Sequence, residues 1–180
     1  MTHRPYTQLI PIIKPTVILI VIIVGFTSPI SNVSGGGMSG SSGGSSGGHG
    51  GGCSSIGISN TQSLKFGTFA TSTSGNVVIS TGGNRSSTGG VLLLGGTYQS
   101  ASFNVTGTSY CSYSISLPSS TSMSNGSQSM TINSFTKNPS SGSLNGSGYQ
   151  NLDVGATLQA SSGQQEGSYS GSFTVTVNYN

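Results

Sequence analysis

From Cys53 to the end of the chain, apolar residues recur at every second position, and no stretch sustains the i, i+3, i+4 spacing of an amphipathic helix. That is the period of a half-buried strand, so the region is predicted to be all-β. Ile56, Ile58, Leu64 and Phe66 share one parity, and Asn60 and Gln62 on the same face mark a break or bulge between two short strands. Val77 with Ile79 and Val91 with Leu93 mark two more, and Gly82-Gly83-Asn84 and Gly89-Gly90 read as hairpin turns. Ala101, Phe103 and Val105 are followed by a Gly107-Thr108-Ser109 turn and then by Cys111, Tyr113, Ile115 and Leu117, stopped by Pro118; these two runs read as hairpin partners. Met130 and Ile132 define a strand that ends before Phe135, and Val154, Ala156 and Leu158 define another. The last is the clearest: Tyr169, Gly171, Phe173, Val175, Val177 and Tyr179 alternate with Ser170, Ser172, Thr174, Thr176 and Asn178, one face apolar and the other a Ser/Thr ladder.

About eight short strands separated by Gly, Ser, Asn and Pro turns predict a β-sandwich of Greek-key or immunoglobulin-like type, with a closed barrel as the competing architecture. An outer-membrane barrel is disfavoured, because its strands run longer and carry aromatic girdles, whereas the chain has no Trp.

The pattern changes upstream of Cys53. His3, Arg4 and Lys14 precede an unbroken apolar stretch from Val17 to Phe26, followed by Thr27, Ser28 and Pro29, which is the order of parts in a signal peptide. The run is about half of the ~20 residues a spanning helix needs, so an uncleaved membrane anchor is the weaker alternative. Residues 35–52 are almost wholly Gly and Ser, interrupted by Met38 and His49, a composition that reads as a flexible linker. The expected organisation is therefore a signal peptide over residues 1–34, a linker over 35–52 and a β-sandwich domain over 53–180.

Only 4% of the residues are charged, and the formal net charge of +3 falls to +1 (3 − 2) once Arg4 and Lys14 leave with the signal. Lys65, Arg85 and Lys137 are scattered, so no phosphate-tracking patch can form and nucleic acid is not expected as a partner. In an exported chain the simplest use of two cysteines is a bridge between Cys53 and Cys111, with free thiols or an intermolecular bridge as alternatives. Cys111 shares the parity of Tyr113, Ile115 and Leu117 and is expected to face the core.

Catalysis needs titratable groups, and past the signal region the acids and histidines are Asp153, Glu166 and His49 alone. A Ser-His-Asp arrangement would rest on His49, inside the linker; a carboxylate pair would have to be Asp153 and Glu166, both beside turn residues and read as solvated loop charges. No spacing resembles Zn or Ca ligation, and the Gly pairs lack the helix and Lys of a phosphate loop. No catalytic residue, metal or cofactor is expected.

The order of motifs in this chain resembles a family of exported bacterial domains, domain of unknown function 4402, grouped with fimbrial and spore-coat-U-like proteins. The resemblance covers roughly Leu64 to Asn180. It is carried by Phe66-Gly67 with Phe69, Gly75-x-Val77-x-Ile79, Gly89-Gly90-Val91-x-Leu93 and Ala101-x-Phe103-x-Val105-x-Gly107. Further along come Tyr113-x-Ile115-x-Leu117-Pro118, Met130 with Phe135, Val154-Gly155-Ala156-x-Leu158 and the closing Gly167-x-Tyr169-x-Gly171-x-Phe173-x-Val175-x-Val177-x-Tyr179-Asn180. It implies a pilin-like sandwich in the periplasm, at the cell surface or outside the cell, and brings no catalytic residues. Chaperone-usher pilins also end on an alternating strand with a penultimate Tyr, and in them a neighbour's extension fills a groove by β-augmentation. Here residues 35–52 contain only Met38 as an apolar residue, which argues against a donor strand there; Ile56 and Ile58 form a conceivable donor pair but read better as a first strand of the domain.

The expected function is that of a non-enzymatic structural protein, a fimbria-like or cell-surface assembly subunit. It would pair with like subunits or other envelope proteins through its final strand or an edge near it, with a periplasmic chaperone as a possible partner. Tyr169, Phe173, Val175, Val177 and Tyr179 are the terminal-strand residues on which this rests, with Cys53 and Cys111 as a clamp. The membrane would be met only through an uncleaved N-terminal segment. The alternative is a monomeric adhesin-like module whose Asn-, Ser- and Tyr-rich loops, Thr121 to Ser129 or Pro139 to Gln150, bind a glycan.

Overall fold

The computed structural model describes residues 52–180 in full and the backbone of residues 16–20. Most of the apolar run, residues 35–51 of the linker and His49 lie outside the described residues. The described chain is all-β, with β1 (Thr16–Ile20), β2 (Ile56–Gln62), β3 (Lys65–Ile79), β4 (Arg85–Gln99), β5 (Ala101–Gly107) and β6 (Ser112–Ser116) in its first half. They are followed by β7 (Ser120–Ser124), β8 (Ser129–Asn138), β9 (Gly142–Ser143), β10 (Tyr149–Ala160), β11 (Gly167–Gly171) and β12 (Thr176–Tyr179). The domain thus has eleven strands, where the apolar pattern counts about eight.

A curled nine-stranded sheet runs β2-β5-β10-β8-β7-β11-β1-β3-β4, with an additional β10–β3 pairing, and a three-stranded sheet runs β12-β6-β9. All pairings are antiparallel except that of β1 with β11. The two sheets share one core, in a sandwich-like arrangement. Phe103, Val105, Leu152 and Leu158 come from the large sheet and Tyr113, Ile115 and Val177 from the small one. Lys137 on β8 ties the sheets further by donating from Nζ to the Ile115 carbonyl.

Alternation holds almost everywhere, because every inward residue that the period selects on β3, β5, β6, β8 and β10 is buried. Neighbour relations differ from the expectation in several places. Phe66 and Val77 lie on one strand, β3, which changes partners along its length: Gly67–Thr71 lies beside β1, whereas Gly75–Ile79 lies beside β10, with β4 on the other side throughout. Gly82-Gly83-Asn84 is a true hairpin turn, closed by Ser80 N to Asn84 O at 2.9 Å, with Gly83 at φ 78°. Gly89-Gly90 is not a turn. It sits within β4 opposite the shift between Thr71 and Gly75, where the backbones approach so closely that a Cβ on Gly89 would lie 2.5 Å from the Ser74 carbonyl.

The expected hairpin between the Phe103 and Tyr113 runs does not form either: β5 pairs with β2 and β10, and β6 pairs with β12 and β9. The Gly107–Tyr110 connection carries the chain from one sheet to the other, with Tyr110 at φ 61°. Phe135 lies inside β8 rather than past its end. The terminal alternating run is two strands, β11 in the large sheet and β12 in the small one, joined by residues 172–175. Phe173 anchors that crossing, its ring 5.0 Å from Phe135 and 6.3 Å from Phe103 between centroids.

Candidate functional site

The start and the end of the domain are fastened together. Cys53 and Cys111 form a disulfide, as expected, and Cys111 is buried. Two residues further on, the Ser55 carbonyl accepts a 2.7 Å hydrogen bond from the Tyr179 hydroxyl, which itself accepts from Thr108 N at 2.6 Å. That hydroxyl stands where a side chain on Gly107 would be, so glycine is required there. β2 is therefore held to β12 and to the Gly107–Cys111 connection by one covalent bond and one bridging phenol. Its engagement with β5 and its disulfide make Ile56 and Ile58 an integral first strand.

The terminal-strand residues are core residues. Tyr169, Phe173, Val175 and Val177 are buried, and the Tyr169 hydroxyl donates to the Gln165 carbonyl while accepting from Gln164 Nε2, both at 2.9 Å. They hold the fold, and only the backbone of β12 lies at a sheet edge.

The exposed apolar surface lies elsewhere, on the outward side of β4. β4 is the last strand of the large sheet and, among the described residues, pairs only with β3. On one face of β4 Leu92 is 61% exposed and Leu94 47%, and Tyr98, beyond two register shifts, is 46% exposed. Val91-Leu92-Leu93-Leu94 is apolar on both parities, and that run was the sequence signal. Past Arg85 no charged residue or proline interrupts β4, although charge and proline are the usual guards of an exposed edge.

Arg85 braces this hairpin. Its Nη1 donates to the carbonyls of Phe66 (3.0 Å), Thr68 (3.3 Å) and Gly95 (2.9 Å), while its guanidinium carbon lies 4.4 Å from the Tyr98 ring centroid. Burial lowers the guanidinium pKa, opposed by its interaction with Tyr98, and the group stays charged. Gly67, at φ 74°, lies directly under it, which accounts for the Phe66-Gly67 motif: a Cβ there would strike Nη1 and lie 2.7 Å from the Gly95 carbonyl.

The titratable residues weighed for chemistry are dispersed. Asp153 is not in a loop but within β10, where Oδ1 accepts from Ser102 Oγ at 2.6 Å and Asn151 Nδ2 at 3.1 Å. Glu166 lies in the connection between β10 and β11. Among the described residues no three His, Cys, Asp or Glu side chains group to hold a metal, and no helix is long and apolar enough to cross a membrane. Among the described residues, open depressions of about 410 and 310 Å³ are lined mainly by Ser, Gly, Asn and Gln. The Pro139 to Gln150 loop is internally braced, since Asn145 Oδ1 accepts from Ser147 N and Tyr149 N, and Gln150 Oε1 accepts from Ser143 N and the buried Tyr113 hydroxyl.

An all-β, sandwich-like domain clamped by one disulfide, with a bare apolar edge and no assembled catalytic constellation among its described residues, is the class that this geometry defines. Within that class, the chain belongs to the family described as Domain of unknown function (DUF4402), whose profile matches residues 56–179. No curated protein and no solved structure matches the chain. The disulfide fits an oxidising compartment outside the cytoplasm.

Proposed function

We propose that this protein is a non-enzymatic, exported structural subunit that builds a fimbria-like or cell-surface assembly by pairing copies of itself along β4. The observation that carries the reading is the edge of β4, which has no partner among the described residues, with Leu92, Leu94 and Tyr98 exposed along the strand. An edge strand offers a second chain its free N–H and C=O groups, and an apolar stripe on the same strand adds buried area once a partner arrives. Weak charge supports the reading, since 4% charged residues oppose self-association with little repulsion. The disulfide and the Tyr179 bridge add a domain held together at its ends, as suits a subunit working outside the cell.

The test is sedimentation of the exported, oxidised protein recovered from its own cell surface, beside a Leu92→Glu/Leu94→Glu variant. The unsubstituted protein is expected to sediment as an ordered oligomer and the variant as a folded monomer with its disulfide intact. A protein that stays monomeric at high concentration, or a variant that assembles as well as the parent, refutes the proposal.

A further inference from the structure

Side chains order the outward face of the large sheet at its β2–β5–β10 end. Tyr149, Asn151 and Asp153 project from β10 on the parity opposite to the buried Leu152 and Val154, in register with Thr106, Asn104 and Ser102 on β5. Asp153 Oδ1 accepts from Ser102 Oγ at 2.6 Å and from Asn151 Nδ2 at 3.1 Å, while the Tyr149 hydroxyl donates to Asn104 Oδ1 at 2.6 Å. Tyr149 stands opposite Thr106, so its bond to Asn104 runs diagonally across β5 and lays the phenol ring over that strand, fixed at its tip. On the far side Thr106 faces Gly57 of β2, which has no side chain to cover the ring, and Tyr149 is 37% exposed.

Two features set this face apart from the ordinary polar exterior of an antiparallel sheet. Aspartate is a poor strand former, yet Asp153, one of only two acidic residues in the chain, occupies the middle of β10. Its partners are a hydroxyl and an amide rather than a cation, and Lys137 on the adjoining β8 is turned the other way, toward the Ile115 carbonyl of the small sheet. The second feature is unused hydrogen-bonding capacity beside an aromatic ring. The bonds on this face leave Asp153 Oδ2, Asn151 Oδ1 and Asn104 Nδ2 without a partner among the described residues. Two acceptors, one donor and an open ring face, all held in place beforehand, complement a sugar: its hydroxyls both donate and accept, and the C–H face of a pyranose packs on an aromatic ring.

We propose that this face binds a neutral oligosaccharide, with Tyr149 packed against one sugar ring and Asp153, Asn151 and Asn104 hydrogen-bonded to hydroxyl groups. The occupant is uncharged because Asp153 supplies the charge on this face and repels a carboxylated or sulfated sugar. Tyr149 and Asp153 are four residues apart on one strand, about 13 Å, which is longer than a single pyranose and calls for more than one sugar unit. The site moves the glycan-binding expectation from the loops to a sheet face and keeps only Tyr149 of the Pro139 to Gln150 segment. It does not rest on the assembly reading, since β4 lies at the opposite end of the sheet's strand order.

The test is fluorescence polarisation of labelled mannotriose, maltotriose, chitotriose, lactose and sialyllactose, each titrated with the exported, oxidised protein. Saturable binding of at least one neutral probe is expected, with sialyllactose bound no better than lactose. Tyr149→Ala and Asp153→Asn, both on the sheet surface, should each weaken that binding by about tenfold or more while the far-UV circular dichroism stays unchanged. Asp153→Asn keeps an acceptor for Ser102, so it removes the charge and leaves the sheet's own bond in place. Leu92→Glu/Leu94→Glu should bind as the parent does. Failure of every neutral probe, or tighter binding of sialyllactose than of lactose, overturns the proposal, and both are read on the unsubstituted protein whether or not a variant folds. Binding unchanged in both folded variants overturns the placement on this face. None of these results bears on sedimentation through β4, so the two proposals fail separately.

Discussion

Gly67→Ala is the sharpest probe of how the β3–β4 hairpin is built, because glycine there answers two separate demands. Its φ of 74° is left-handed, which costs an L-residue about 1–2 kcal/mol. Its missing side chain also leaves room for Arg85 Nη1 beneath the Gly95 carbonyl. An alanine methyl would displace the guanidinium and loosen its bonds to three carbonyls and its stacking on Tyr98. The group is only partly buried, so solvent offsets much of that loss and about 1 kcal/mol is a fair share for it. The total is about 2–3 kcal/mol. With an m-value of about 1.5 kcal/mol/M, the urea midpoint should fall by about 1.3–2 M.

The informative comparison is the double-mutant cycle with Arg85→Ala. Once the guanidinium is gone, the positive φ and the 2.7 Å approach to the Gly95 carbonyl remain, so Gly67→Ala should cost about 1 kcal/mol less in that background. Far-UV circular dichroism of the oxidised protein serves as the readout, since the chain lacks Trp. A cost below about 0.5 kcal/mol, or an equal cost with and without Arg85, would refute the account of Arg85 as the brace over Gly67.

Two further outcomes follow from the clamp and the core. Replacing both Cys53 and Cys111 with Ala opens a loop of sequence separation 58, for which the chain-entropy treatment gives a loss of about 4 kcal/mol; a urea midpoint unchanged by the substitution would show that β2 is held by its hydrogen bonds alone. Burial pushes the Tyr113 phenol above its ordinary 10.0, so the folded protein keeps that proton longer than the unfolded chain. The stability tied to it is intact below about pH 10 and is lost as pH rises from there through the raised native value. Tyr113→Phe should therefore lose stability less steeply over that window, and equal slopes in the two proteins would contradict the assignment.

Much of the core was legible, because period-two alternation encodes which face a residue takes. Parity marks Phe66, Val77, Phe103, Val105, Tyr113, Ile132, Val154 and Leu158 as inward residues, and all are buried. Parity says nothing about which strand lies alongside, so the Phe103 and Tyr113 runs, adjacent in sequence, read as a hairpin although they lie in different sheets. A glycine pair can make a turn or permit two backbones to touch; Gly82-Gly83 does the first and Gly89-Gly90 the second, and only the partner strand tells them apart. β7 was invisible because Ser120–Ser124 buries one side chain, Met123. Two cysteines make the Cys53–Cys111 bridge the simplest reading but leave free thiols or an intermolecular bridge open, and the geometry decides for the bridge. The exposed apolar residues of β4 are hidden for the opposite reason: in Val91–Leu94 both parities are apolar, so alternation does not separate the outward Leu92 and Leu94 from the inward pair.

The large sheet's two terminal strands are treated differently, and the contrast supports the functional reading. β2, at one end, is bolted through Cys53 to Cys111 and through Ser55 to Tyr179 of β12, so the sheets' ends are sewn to each other. β4, at the other end, has its brace turned inward: Arg85 spends its donors on carbonyls of β3 and β4 and its face on Tyr98, which stiffens the hairpin without covering its outer edge. A strand held rigid and left uncovered is preorganised for a partner, because little ordering remains to oppose association. Tyr98 is stacked on Arg85 while 46% of it stays open to solvent, so the brace itself leaves an aromatic face available on the proposed interface.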